Sequence, residues 1–295
     1  PFVVVRGQDD RPVLSVHAGV HGNEYEGMYA VFRLIRELDA QVVTNGTVIL
    51  CPIVNVLAFS SVMRETSIDL KDLARTFPGN PSGTISDRIS YTFFEKIIKK
   101  SDYHIGLHSA GKSLRLLPFT EFYDTPGVVG EKSLALAKAF GIEHLRPLTR
   151  ERALGPTCLL AGGESGIPGI EAEVGGEERC DLRAAELYVN GIKNVIKYLG
   201  ITSGEVELRP AYTYIDSRWV TFEKDGFFVP IVKLGDTVAE GDEIGILYDQ
   251  FGGKETVKSA LSGCVMGIRT LPAIRPGDLI AHIGKISRIE KTVTI

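Results

Sequence analysis

The sequence predicts an α/β fold followed by a smaller all-β region. Up to about residue 199, short apolar runs alternate with longer segments of helical periodicity, which is typical of a mainly parallel or mixed sheet with helices on both faces. After residue 204, β-rich runs are separated by Gly-Asp turns, and no segment shows a convincing helical pattern. We therefore expect two domains, residues 1–203 and residues 204–295.

The elements of the first domain follow from their apolar spacing. Met28, Val31 and Ile35 recur at intervals of three or four residues, so the first helix has an apolar face that can pack on a sheet. The other apolar runs have the length and flanks of buried strands or amphipathic helices. The predicted strands are residues 2–5, 13–17, 47–53, 103–108 and 170–174, and the predicted helices are residues 25–38, 85–99, 129–140 and 181–199.

The second domain has two weakly repetitive halves, each with a Gly-Asp turn. This pattern resembles the barrel-sandwich hammerhead of biotinyl and lipoyl carrier domains. A carrier needs a lysine at the tip of its central hairpin, where this chain has Tyr248-Asp249-Gln250-Phe251. Lys254 is nearby but lacks the flanking pattern, so we do not expect a carrier function.

Composition excludes several classes of protein. The chain has 295 residues, of which 44% are hydrophobic, enough for a substantial core. Its net charge of −4 and the lack of a basic block argue against nucleic-acid binding. No apolar run has the length of a membrane span. The four cysteines are widely separated, which favours reduced thiols and a cytoplasmic protein.

His21-Gly22-Asn23-Glu24 lies in a turn between a predicted strand and the first helix. His21 and Glu24 are about one helical turn apart, where they can bind one metal ion. A zinc site needs a third protein ligand, and His108 is the best candidate because it ends another predicted strand. Strands that end at the same sheet edge bring such residues together. His17 and His104 remain rival ligands, although His104 lies further from the strand end.

Several motifs in sequence order carry a family resemblance. They are His-Gly-Asn-Glu at 21–24, residues 55–59, Arg64, Asp69-Leu70-Lys71-Asp72-Leu73-Ala74-Arg75-Thr76-Phe77-Pro78-Gly79, His108-Ser109, residues 114–118 and Glu173-Val174-Gly175-Gly176. Together with the β-rich tail, they resemble the succinylglutamate desuccinylase and aspartoacylase family. These are zinc enzymes with a carboxypeptidase-like catalytic fold, so the resemblance implies a mixed sheet flanked by helices.

The resemblance also implies roles for individual residues. His21, Glu24 and His108 match the ligands of one Zn²⁺ per chain, although Co²⁺ or Mn²⁺ also suits such ligands. Glu173 matches the catalytic glutamate, although Glu171 points to the same face of its strand and an exchange of roles is open. The other matches are Arg64 for the oxyanion, Arg75 for the substrate carboxylate, and Asp72 for the second ring nitrogen of His21.

Three positions concern substrate preference or metal binding. The family usually has Asn where this chain has Ala74, so one donor to the substrate carboxylate is missing. The family commonly has Asp where this chain has Gly106, a change that related carboxypeptidases tolerate. Arg115 lies after His108, and we expect it to meet an acidic side chain of the substrate.

The resulting hypothesis is zinc-dependent hydrolysis of the amide bond of a small N-acylated amino acid. The expected partner is this small molecule, without nucleic acid or membrane, and a homo-oligomer is left open. The β domain is expected to cap the cleft. The alternatives are a metallocarboxypeptidase, which needs an open cleft, and a metal-binding homologue or binding module without turnover. Ala74 favours the last, whereas Arg64, Arg75 and Glu173 argue against it.

Overall fold

A mixed β-sheet runs through the protein in the computed structural model, which describes residues 1–291. The strands of the described residues are β1 (Val3–Arg6), β2 (Val13–His17), β3 (Thr47–Cys51), β4 (Tyr103–His108), β5 (Leu114–Tyr123), β6 (His144–Leu148), β7 (Gly169–Gly176), β8 (Tyr212–Thr221), β9 (Gly226–Pro230), β10 (Thr237–Val238), β11 (Glu243–Tyr248), β12 (Lys254–Lys258), β13 (Gly263–Arg269), β14 (Ala273–Ile274) and β15 (Leu279–Glu290). The α-helices are α1 (Tyr25–Glu37), α2 (Val56–Ser60), α3 (Ile85–Lys96), α4 (Val128–Phe140), α5 (Cys158–Glu164) and α6 (Leu182–Tyr198), with 3₁₀ turns at Leu73–Arg75 and Ile98–Lys100.

The first half of the sheet has the order β1-β3-β2-β4-β7-β5. Strands β3, β2, β4 and β7 are parallel, whereas β1 and β5 are antiparallel to their neighbours β3 and β7. Helices α1, α4 and α6 form the main hydrophobic core with one face of this sheet. Side chains from α3 and α5 form a second core with the other face. The predicted sheet with helices on both faces is therefore confirmed.

Within residues 1–203, the predicted elements are present with shifts of a few residues at their ends, and two strands and two α-helices escaped prediction. Helix α3 ends at Lys96 rather than at residue 99, because a 3₁₀ turn takes over at Ile98–Lys100. The sequence did not predict β5, β6, α2 and α5. In β5, the pairing with β7 is irregular between Leu116 and Phe119, which disrupts the period of two that identifies a strand.

The part of the chain after residue 204 forms strands and no helix within the described residues, as predicted. Strands β12, β11, β9 and β14 form a separate four-stranded sheet. Strands β8, β15, β13 and β10 instead continue the main sheet after β6, and β13 also pairs with β5. Strands β5, β6, β8, β15 and β13 thereby close into a ring.

The division at residues 203 and 204 stays a prediction, as does the likeness to a barrel-sandwich hammerhead. The predicted second domain includes residues 292–295, which lie outside the described part of the chain. In residues 1–291, no helix has both the length and the apolar character required to cross a membrane.

Candidate metal centre

The structure brings His21, Glu24 and His108 together at the carboxyl ends of β2 and β4. One donor atom from each residue lies within 4.8 Å of those of the other two, and all three residues are buried. Glu24 immediately precedes α1 in extended conformation. The turn before it is tightly packed, because a Cβ added at Gly22 would lie 2.1 Å from the carbonyl carbon of Ala58.

The Glu24 carboxylate connects both imidazole rings. Its Oε1 lies 2.8 Å from Nδ1 of His21, and its Oε2 lies 3.0 Å from Nδ1 of His108. The backbone N–H of Ser109 also donates to Oε2, at 3.1 Å. Two imidazole nitrogens and a carboxylate oxygen that face one another form the ligand set of many catalytic zinc sites. The donor chemistry of these residues therefore fits Zn²⁺.

Asp72 contacts the far side of His21. Its Oδ1 lies 2.9 Å from Nε2 of His21 and also accepts the backbone N–H of Ala74, at 2.9 Å. Such a carboxylate fixes the tautomer of a ligand histidine and leaves Nδ1 free for the metal. The guanidinium of Arg64 donates to Asp72 Oδ2 at 3.1 Å and to Glu24 Oε1 at 3.2 Å. Arg64 thus borders the same group of residues.

The charged groups strongly affect one another's pKa. Burial alone would raise the pKa of Glu24, but His21 and His108 outweigh it and hold that pKa well below its usual range. Burial likewise opposes the charged form of His108, yet its bond to Glu24 raises the pKa of His108 to about 10. The pKa of Asp72 is also lowered, because His21 and Arg64 outweigh burial.

Glu173 lies beside His108, since the two residues are paired in register between β4 and β7. Its removal from water raises the pKa of Glu173 well above the usual value, and nearby carboxylates raise it further. Glu171 pairs instead with Gly106, two residues further from the strand ends, and its Oε1 accepts the backbone N–H of Leu159 at 3.2 Å. Glu173 is therefore the glutamate of β7 that lies at the level of His108.

A cavity of about 530 Å³ opens at this centre. His21, Glu24, His108, Arg64, Arg75 and Glu173 all line it. Arg115 does not contribute to its lining: Leu114 and Leu116 face the cavity, so strand alternation turns Arg115 away. The guanidinium of Arg115 lies 3.6 Å from Glu177 and 3.9 Å from Asp181. The contact of Arg115 with an acidic side chain of the substrate stays a prediction, although Arg115 lies outside the cavity lining.

Sequence analysis missed other residues of the cavity, because they belong to no recognisable motif. Trp219 of β8 stacks on His282 of β15 with ring centroids 4.1 Å apart. Nε2 of His282 lies 2.7 Å from the Ser217 hydroxyl, which also accepts a hydrogen bond from Arg146 at 2.8 Å. Arg146 in turn forms an ion pair with Glu121. The further cavity residues from the β-rich part include Arg269, Asp278 and Leu279.

His17 and His104, the two rival ligands, lie elsewhere. They form a separate buried group with Cys158, and one donor atom from each residue lies within 4.8 Å of the others. Burial lowers the pKa of His17 well below its usual value and that of His104 to about 4, so both rings are neutral near pH 7. The structure therefore groups His108, rather than either rival, with His21 and Glu24.

Comparison with known proteins gives one consistent picture. Residues 10–199 match the family model of the succinylglutamate desuccinylase/aspartoacylase catalytic domain. The chain is 30% identical to N-alpha-acetyl-L-2,4-diaminobutyric acid deacetylase of Halomonas elongata, in an alignment covering 96% of this chain and 84% of the relative.

Two solved structures are similar over nearly the whole chain. A succinylglutamate desuccinylase from Silicibacter sp. TM1040 superposes with a TM-score of 0.89 at 27% identity, covering 97% of this chain and 88% of the other. The product-bound ectoine utilization protein EutE (DoeB) from Ruegeria pomeroyi gives a TM-score of 0.88 at 28% identity, with the same coverage of 97% and 88%. The mixed α/β fold thus occurs in proteins named for deacylation or for ectoine utilization.

Proposed function

Because this chain belongs to the succinylglutamate desuccinylase/aspartoacylase family, we propose that it is a zinc-dependent amidohydrolase that removes a small acyl group from an N-acylated amino acid. The observation that carries this proposal is the arrangement of His21, Glu24 and His108 beside Glu173 in one cavity. This combines a metal-binding group with a base, the two requirements for metal-assisted hydrolysis.

We assign the metal to the two Nδ1 atoms of His21 and His108 and to the Glu24 carboxylate. When bound there, Zn²⁺ would lower the pKa of a water molecule and polarise the substrate carbonyl. Asp72 holds the ring of His21 in the orientation that this binding needs. We propose one Zn²⁺ per chain at this centre.

Glu173 moves the proton in this proposal. It takes a proton from the attacking water and delivers it to the leaving nitrogen, so that a free amine departs. Removal from water raises the pKa of Glu173, which favours the protonated carboxyl that delivers the proton to the leaving nitrogen. Arg64, which borders Glu24 and Asp72, donates hydrogen bonds to the oxyanion that develops as the carbonyl is attacked.

The cavity favours a substrate that carries both a negative and a positive charge. Arg75 provides a guanidinium for the α-carboxylate, with one donor fewer because Ala74 replaces the usual Asn. Glu121 and Glu178 also line the cavity and offer carboxylates to an ammonium group. An N-acetylated diamino acid has both groups, and the Halomonas relative is named for such a substrate. We therefore propose N-acetyl diamino acids as the leading substrates.

The test combines metal analysis with a substrate panel. Zinc content of the purified protein is measured, and amine release is followed with N-α-acetyl-2,4-diaminobutyrate, N-acetylaspartate, N-succinylglutamate and a short peptide, before and after chelation. Chelator-sensitive release from the first compound supports the proposal. Release only from the peptide would favour a metallocarboxypeptidase, and bound metal without any turnover would favour a homologue that has lost activity. A cytoplasmic location, which the unpaired cysteines favour, is part of the same proposal.

A further inference from the structure

A second group of metal-binding side chains lies inside the protein. His17, His104 and Cys158 are buried, and one donor atom of each lies within 4.8 Å of the others. Within residues 1–291, neither ring nitrogen of His17 or of His104 has a hydrogen-bond partner. Buried polar atoms nearly always have a partner, so four unpaired nitrogens in one place need an explanation.

The fold builds this group from three elements. His17 pairs with Gly106, and Gly106 pairs with Glu171, so these three residues form a row across β2, β4 and β7. His104 lies two residues before Gly106 on the same face of β4. Cys158 is the first residue of α5, which packs over this part of the sheet. The three donors therefore converge on one interior point from two strands and a helix.

Glycines leave room for the donors. A Cβ at Gly106 would lie 3.1 Å from Nε2 of His17 and 2.9 Å from Cγ of Glu171. A Cβ at Gly162, one turn after Cys158 on α5, would lie 2.6 Å from Nε2 of His104. Larger residues at these two positions would push the imidazoles away from the sheet and the helix.

Glu171 lies between this group and the catalytic cavity. It belongs to the row of His17 and Gly106, its Oε1 accepts the N–H of Leu159, and it also lines the cavity. This position marks a route by which an ion can enter the buried group from the cavity.

We propose that His17, His104 and Cys158 form a second metal site, for a thiophilic divalent cation such as Zn²⁺. Binding breaks the S–H bond of Cys158, releases the proton to solvent and forms a metal–sulfur bond. The thiolate offsets one of the two positive charges of the cation. Imidazole nitrogens and thiolate sulfur are both common zinc ligands. Such a site ties α5 to β2 and β4.

Cobalt substitution tests this site independently of the catalytic centre. Metal-free protein is titrated with Co²⁺, and the near-ultraviolet thiolate-to-cobalt charge-transfer band is recorded. His21, Glu24 and His108 offer no sulfur, so this band reports on a thiolate ligand alone. We expect two equivalents of Co²⁺ and a charge-transfer band in the wild type. A single equivalent without the band would overturn the proposal and would leave buried water as the partner of the imidazoles.

Matched variants identify the cysteine that provides the sulfur ligand. Cys158→Ala should lose the band and one equivalent of metal, whereas Cys264→Ala and Cys180→Ala should keep both, because those cysteines lie outside the group. Glu24→Gln should weaken the catalytic centre and keep the band. Loss of the band in Cys180→Ala but not in Cys158→Ala would instead assign it to the exposed thiol.

X-ray absorption of the zinc-loaded wild type does not depend on any variant folding. A sulfur neighbour at about 2.3 Å from zinc supports the proposal. A spectrum with only nitrogen and oxygen neighbours contradicts it, whatever the activity of the enzyme.

Discussion

At the scale of single residues, one carboxylate organises the candidate metal centre. Glu24 contacts both imidazoles, the backbone N–H of Ser109 and the guanidinium of Arg64. A buried carboxylate with this many polar contacts is held in one orientation, since each oxygen is engaged by at least two groups. Each residue around Glu24 contributes a different chemical property. Substitutions can therefore distinguish the roles of these residues.

Glu173→Gln removes the proposed base while nearly conserving side-chain volume. We expect kcat to fall by about 10²–10⁴-fold, because proton transfer by a positioned side chain contributes this much. Zinc content should be unchanged, which separates loss of the base from loss of the metal. Steady-state kinetics and metal analysis are compared with those of Glu171→Gln. Survival of turnover in Glu173→Gln together with its loss in Glu171→Gln would mean that the two glutamates have exchanged roles.

Arg64→Lys keeps the positive charge but removes the planar donor fork. We expect kcat to fall by about 10²–10³-fold with little change in KM, the usual cost of losing an oxyanion donor. Arg152→Lys is a suitable control, because Arg152 also lines the cavity but lies 3.7 Å from Asp216 rather than beside Glu24. An increase in KM alone would show that Arg64 binds the ground state of the substrate instead.

At the scale of elements, residues 64–75 carry three of the predicted site residues on a segment with little regular structure. The segment is tied to the start of α3: the Ser86 hydroxyl donates to Asp69 at 2.7 Å and contacts the Thr66 hydroxyl at 2.7 Å. Asn55, which caps α2, donates to Thr66 at 2.9 Å. Buried hydrogen bonds thus replace secondary structure in holding this loop at the cavity.

The substitution Asp69→Asn tests this attachment, because its effect on stability should depend on pH. Burial opposes ionisation of Asp69, but hydrogen bonds from Thr84 and Ser86 outweigh it and lower the pKa from 3.8 to about 2. Because the folded pKa is lowered, the stabilisation is complete above about pH 4 and is lost as pH falls towards 2. We expect the variant to be less stable by about 1–3 kcal/mol at pH 7.

Thermal unfolding at several pH values measures this effect, with Asp9→Asn as an exposed control. The difference between wild type and Asp69→Asn should shrink between pH 4 and pH 2. A constant difference across that range would mean that the charge of Asp69 does not contribute to stability.

At the scale of the whole molecule, the cavity is shared by both parts of the chain. The proposed metal ligands His21, Glu24 and His108 belong to the first 108 residues, whereas Trp219, Arg269 and His282 belong to β8, β13 and β15. The ring of strands explains this, because β13 pairs with β5 and β8 pairs with β6. Phe119 and Leu116 of β5 also pack with Ile215 and Met266. The later strands therefore form one wall of the cavity. The sequence predicts that they cap it.

Truncation after residue 203 tests the predicted division into domains. We expect the shortened chain to aggregate, because it exposes the edge of β6 and the apolar side chains of β5. Circular dichroism and sedimentation of residues 1–203 are compared with those of the full chain. A monomeric, cooperatively folded fragment would instead show that residues 1–203 form an independent domain.

The sequence by itself determined the features that depend on local order. Periodicity identified α1 and the buried strands, because a helix or strand that packs on one core repeats its apolar residues at a fixed interval. The turn from His21 to Glu24 and the strand end at His108 were also visible, since each lies at the junction of a strand with a loop. Arg64, Asp72, Arg75 and Glu173 required the ordered motifs of the family, because no local pattern sets them apart from surface charges.

Only the tertiary structure decided which side chains share a space. Arg115 follows the strand alternation of β5 away from the cavity, and an irregularity in that strand concealed the alternation. Arg146, Trp219 and His282 reach the cavity through the closed ring of strands, and Cys158 meets His17 and His104 because α5 packs over β4 and β7. These residues are far apart along the chain, and their proximity depends on strand order and helix packing. Local periodicity carries no information about either, so neither the cavity wall nor the buried group could be derived from the sequence.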